Sequence, residues 1–182
     1  MLSQNDIIDE KNSILKKVSE SVIFPLSKED KDLIDEEINY LRLSQDEEYA
    51  EEHNIRGGMG LAFVQLGVLK RIFVICYKRD DDSFEEYTVI NPKILTFSEE
   101  LIYVEEGEGC LSVNRPVEGI VPRHARITVE YYNTLGEKQT SRAREEIAVA
   151  FQHEIDHLDG ILFTDKIDKS NPYKNNDKYR AI

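Results

Sequence analysis

The chain has 182 residues and a mass of 21.1 kDa, with 40% hydrophobic and 32% charged residues. That makes it a globular chain long enough to bury a core without disulfides, and one domain over 1–182 is expected. Its 23 Lys and Arg against 36 Asp and Glu give a formal charge of −13. The excess of acid argues against nucleic-acid binding or adsorption to an anionic membrane surface.

The N-terminal stretch MLSQNDIIDEKNS has neither the cationic start and apolar block of a secretory leader nor the Arg-rich character of a transit peptide. The longest apolar runs, such as IFVIC at 72–76, fall far short of the ~20 residues of a membrane span. Two cysteines, Cys76 and Cys110, make no disulfide framework. A soluble protein of a reducing, cytoplasmic compartment is expected.

The first predicted helix is PLSKEDKDLIDEEINYLRLSQ (25–45). Ser27 can cap it, Asp30 suits the positive end of its dipole, and Ile34, Ile38 and Leu41 recur at helical spacing. The acidic DEEYAEEHNIR (46–56) reads as a solvated helix turn or loop. RIFVICY (71–77) and EEYTVIN (85–91) read as two strands of a hairpin turned by KRDDDS. KILTFS (93–98), LIYVEE (101–106), RITVEYY (126–132) and KQTSR (138–142) follow as strands, with NTLGE turning between the last two. REEIAVAFQHEIDHLDG (144–160) reads as a helix stopped by Gly160. The expected class is α+β, with antiparallel β-sheets around a central late helix and one N-terminal helix.

That late helix carries H-E-x-x-H at His153, Glu154 and His157. At 100° per residue the two histidines lie about 40° apart, one turn above the other, where both can reach one metal ion. The competing reading is a helix with two polar core histidines. Ile147, Phe151, Ile155 and Leu158 form the expected packing stripe, roughly 100° from the His/Glu group, so the polar trio borders the core. Ionisable groups there need a partner, and a metal supplies one.

The position that would complete an extended H-E-x-x-H-x-x-G-x-x-H triad is Phe163, and no glutamate follows Glu154. Candidates for the third ligand are Cys110, Cys76, His124 and His53. Cys76 reads as a buried strand residue, His124 as a strand-opening ring and His53 as solvated. Cys110, in the glycine-flexible GEGCLS, is preferred. A thiolate with two imidazoles leaves a fourth position open, the pattern of a catalytic site.

Three blocks stand together: GMGLAFVQ at 58–65, EGCLS at 108–112 and QHEIDH at 152–157. In order and spacing they resemble peptide deformylase, whose motifs read GxGLAAxQ, EGCLS and QHExDH. The resemblance spans essentially the whole chain. SQDEEYAEEHNIRGG and CLSVNRPVEGIVPRHARITV look like its longer type II branch, found in Gram-positive bacteria and mollicutes. The resemblance implies that Cys110, His153 and His157 bind one divalent metal, Fe(II) natively, with Zn, Ni or Co also accepted. It implies Glu154 as general base, with the Gln65 amide and the Leu111 N–H polarising the formyl oxygen. Met59, Val149 and Ala150 would line the methionine pocket, and Gly60 would let the peptide backbone pair alongside. The implied substrates are N-formylmethionyl nascent peptides. A monomer is the default expectation, and the tail 166–182, with Lys and Arg in excess over Asp, is the candidate surface for transient ribosome contact. Two departures bear on substrate fit. Phe63 replaces the family's second Ala and, on an extended segment, would share a face with Gln65 and crowd the site. Glu146 stands where type II relatives tend to carry an aromatic.

Overall fold

A computed structural model describes residues 2–182. Helix α1 (Lys28–Ser44) starts where the Ser27 hydroxyl accepts the Asp30 N–H, as its sequence predicts. Its buried face carries Ile34, Tyr40 and Leu41, but also Glu37, while Ile38 is only partly buried. A second helix, α2 (Glu47–His53), follows and buries no residue, so the acidic stretch is solvated helix.

The strands, in chain order, are β1 (Gly60–Ala62), β2 (Ile72–Lys78), β3 (Phe84–Phe97), β4 (Leu101–Tyr103), β5 (Arg123–His124), β6 (Arg126–Tyr132), β7 (Lys138–Arg144) and β8 (Arg180–Ala181). Five of them form one antiparallel sheet in the order β1-β2-β3-β6-β7. The expected hairpin is β2–β3, but EEYTVIN and KILTFS are one strand rather than two. Pro92 sits where the β3–β6 register shifts between Ile90 and Lys93, a place where a residue without an N–H costs no ladder bond. A smaller sheet runs β5-β4-β8. Its β4–β8 pair is parallel, so this sheet is mixed rather than wholly antiparallel.

Helix α3 (Glu145–Leu158) packs against β1, β2, β6 and β7 of the large sheet and against β5 of the small one. Enclosed by both, it is buried on almost every side. The one-sided stripe expected from the sequence is therefore corrected: Ala148, Val149 and Ala150 are buried, whereas Ile147 and Ile155 are only partly so. Phe151 anchors α3 on the large sheet, edge-on to Phe73 and Tyr87 at 5.8 and 5.1 Å between ring centres. The Gln152 side chain accepts from the His124 N–H and donates to the His124 carbonyl, both at 2.9 Å, which fastens β5 to the helix. Gly160 ends the helix at φ +73°, where a Cβ would meet the Lys16 carbonyl at 2.6 Å. The opposite face of the large sheet packs on α1 through Leu61, Phe63, Val74 and Ile90.

Candidate active site

His153 and His157 lie one turn apart on α3, with ring centres 4.9 Å apart. The loop after β4 brings in Cys110, whose Sγ lies 3.3 Å from His157 Nε2. Donor atoms of Cys110, His153 and His157 all fall within 4.8 Å of one another. His153 Nδ1 bonds the Glu108 carboxylate at 2.9 Å, which fixes the ring and leaves its other nitrogen for the site. A thiol and two imidazoles converging in this way fit a divalent metal of borderline softness, with one position left for a water or substrate. Of the other ligand candidates, Cys76 is fully buried and its thiol is pushed up to about 12, first by burial. His53 stacks on Tyr49, and the His124 ring bonds the Ser98 carbonyl and stacks on Phe97. The structure brings none of these three to the cluster.

Behind the histidines lies a buried ionic network that the sequence did not disclose. Arg123, 2% exposed, bonds both oxygens of Glu108 at 2.7 and 2.9 Å and also bonds Asp156. Lys166 reaches the other Asp156 oxygen at 3.0 Å. Burial alone would raise the Glu108 carboxyl, but Arg123 and His153 outweigh it and hold it at about 2. Glu108 and Asp156 sit inside the quoted motifs, yet their shared partner is 15 and 33 residues away, beyond any local pattern.

A cleft of about 370 Å³ opens beside this cluster. Met59, Gly60, Gln65, Cys110, Leu111, Val149, Ala150, His153 and Glu154 all line it, and His157 lies behind its wall. Glu146 is exposed at its rim, and Arg56, unremarked in the sequence, lines it from the β1 side. Glu154 is buried, and its carboxyl is pushed up to about 7, chiefly by burial. A carboxyl so poised can take and return a proton near neutrality. A Cβ at Gly60 would collide with the Glu154 carboxyl group, so a glycine here lets β1 run close beside it.

Gln65 is held in one orientation. Its Oε1 accepts the Ala62 N–H at 2.9 Å, so its amide NH₂ turns to Ser112 Oγ at 3.1 Å and towards Cys110 Sγ at 3.6 Å. Phe63 does not crowd this site. Residues 63–66 form a 3₁₀ turn rather than an extended segment, so Phe63 points into the α1-side core and is fully buried there.

The sequence profile of a family described as polypeptide deformylase matches residues 4–173. A peptide deformylase of Macrococcus caseolyticus is 45% identical over 175 residues, covering 96% of this chain and 95% of that one. One of Oceanobacillus iheyensis is 43% identical over 173 residues, covering 95% and 94%. A crystal structure of a class I type b peptide deformylase from Acinetobacter baumannii with Met-Ala-Ser bound superposes with a TM-score of 0.71. It is 28% identical and covers 88% of this chain and 96% of that one.

Proposed function

The chain belongs to the polypeptide deformylase family, and on that premise we propose how its own residues divide the reaction. The protein removes the formyl group from the N-terminal formylmethionine of new proteins and releases formate. Cys110, His153 and His157 would hold one divalent metal, Fe(II) natively, with Zn, Ni or Co as substitutes. When bound, that metal supplies Lewis-acid polarisation and a lowered pKa for water. The converging thiol and imidazoles beside Glu154 carry this reading.

Glu154 accepts a proton from the attacking water and returns it to the leaving amine as the formyl C–N bond breaks. Charge that builds on the formyl oxygen is met by the Gln65 NH₂ and the Leu111 N–H. The Ala62 N–H supports that role by fixing the Gln65 amide before substrate arrives. Among the described residues β1 pairs only with β2, and its Gly60 lines the cleft, so its other edge can accept the substrate backbone as an added strand. Met59, Val149 and Ala150 offer apolar surface for the methionine side chain. We read residues 1–182 as one catalytic unit, acting as a cytoplasmic monomer. For transient ribosome contact the tail has limited charge to offer. Arg180 pairs with Glu100 and Glu145, Lys174 with Asp168 and Lys166 with Asp156, leaving Lys169 and Lys178 without an ion pair among the described residues.

Formate release from formyl-Met-Ala, measured together with metal content, tests the assignment. Cys110→Ser should lose metal and activity together, because a hydroxyl is a far poorer ligand than a thiolate. Glu154→Gln should keep its metal while turnover falls by about 10²–10⁴-fold. Excess Fe(II) should partly rescue only Cys110→Ser. Equal metal loss in both variants would make Glu154 a ligand or structural group, and a fully metallated Cys110→Ser protein would remove Cys110 from the ligand set.

A further inference from the structure

We propose that Arg56 is a positioning residue of the reaction, tying the two walls of the cleft together so that the Leu111 N–H stays presented to the formyl oxygen. This rests on the assignment of Leu111 as a donor to that oxygen. Arg56 stands on the segment leading into β1, and Leu111 and Val113 stand on the opposite, Cys110-bearing loop. One guanidinium spans the gap: Nη1 donates to the Val113 carbonyl at 2.9 Å and Nη2 to the Leu111 carbonyl. A planar fork that grips two carbonyls fixes direction as well as distance, which a single point charge does not.

The anchor is itself anchored. Gln4 Nε2 approaches the same Leu111 carbonyl at 3.4 Å, and Gln4 Oε1 accepts from the Arg56 N–H at 3.4 Å and from the buried Tyr40 hydroxyl at 3.0 Å. The rest of the turn is also committed. Val113 N–H donates to the Cys110 carbonyl at 3.0 Å, Ser112 N–H to Cys110 Sγ at 3.4 Å, and the Ser112 carbonyl accepts from Glu10 N–H at 2.8 Å. Over 111–113 the Leu111 N–H alone has no acceptor among the described residues. The turn is thus clamped on its carbonyl side with one donor left open, the preorganisation that electrostatic catalysis requires. In a chain of charge −13, the hydrogen bonds of the Arg56 side chain go to main-chain carbonyls and to no carboxylate among the described residues.

The test uses the metal-loaded protein with formyl-Met-Ala. Arg56→Ala should keep its metal, lower kcat by roughly 10–100-fold and leave KM within about twofold, because a misplaced donor weakens transition-state stabilisation more than substrate binding. Arg56→Lys, able to hold one carbonyl, should recover part of that loss. Amide exchange should quicken at Leu111–Val113 in Arg56→Ala and stay unchanged in α3. A raised KM at unchanged kcat would make Arg56 a substrate contact and overturn the proposal. So would unchanged kinetics, or faster exchange throughout the protein. Gln65→Ala, run alongside, separates the two levels of the argument. If it lowers kcat by about 10²–10³-fold while Arg56→Ala does nothing, only the role of Arg56 fails. If neither variant changes kcat, the oxygen-stabilising assignment fails with it.

Discussion

Two buried glutamates, one on each side of the large sheet, show how differently a core treats a carboxyl group. Glu108 lies on the α3 side with Arg123 on both oxygens and His153 on one, and it stays ionised despite burial. Glu37 lies on the α1 side, wholly buried between Ile34 and Leu41 of its helix, and neither oxygen has a hydrogen-bond partner among the described residues. Burial, with Glu154 adding negative charge, pushes the Glu37 carboxyl well above the ordinary glutamate range. Two carboxyls with buried side chains are therefore pushed in opposite directions, and partners decide which. The partnered carboxyl orients a metal-ligating ring; its counterpart brings a cost in stability without a visible contact in return.

The hardest break of this contrast is Arg123→Leu. It takes the guanidinium away from the Glu108 carboxylate, left with His153 alone, and from Asp156, left with Lys166 alone, which should cost about 3–5 kcal/mol. For a chain of this size that lowers Tm by roughly 6–20 °C, and metal affinity should fall about 10–100-fold as His153 loses its fixed partner. A variant with parental Tm and metal content would show that Glu108 needs no countercharge.

On the α1 side the core is governed by packing, and Phe63→Ala measures it. Removing a fully buried ring should cost about 3–5 kcal/mol with no gain in kcat/KM, since the ring points away from the cleft. A faster enzyme would mean that Phe63 restrains the site through Gln65 after all.

Glu37→Leu is the smallest effect and the most pointed, because its sign is reversed. Replacing an unpartnered carboxyl by an apolar side chain should raise stability by about 1–3 kcal/mol. The gain should depend on pH. The Glu37 pKa is raised in the folded state, so above the ordinary glutamate pKa the unfolded chain releases a proton that the folded chain keeps. Parental stability attributable to this group is therefore complete at low pH and falls as pH rises towards the folded pKa. The gap between Glu37→Leu and the parent should widen as pH rises above the ordinary glutamate pKa, by at most ~1.4 kcal/mol per pH unit. Urea unfolding at several pH values reads this directly, and a destabilised or pH-independent variant would reveal a partner for Glu37.

What the sequence determined by itself was whatever depends on neighbours along the chain. The Ser27 cap, the i,i+4 geometry of His153 and His157, the β2–β3 hairpin and the Gly160 stop all follow from local spacing. The three motif blocks also named the residues that the fold gathers around one cleft. Tertiary structure decided the rest, because each remaining contact joins segments far apart in the chain. Local pattern gave α3 one buried stripe, but enclosure by two sheets buried nearly all of it. Phe63 turned to the core because Phe63–Leu66 forms a 3₁₀ turn, β8 found a strand partner at β4, and Arg123 met two carboxylates from separate elements. Arg56 reads in sequence as one more surface cation; only folding sets it across the cleft from the Leu111 carbonyl, 55 residues away. Acidity follows the same rule, since the partners that hold Glu108 ionised and the burial that raises the Glu37 carboxyl exist only once the chain has closed around them.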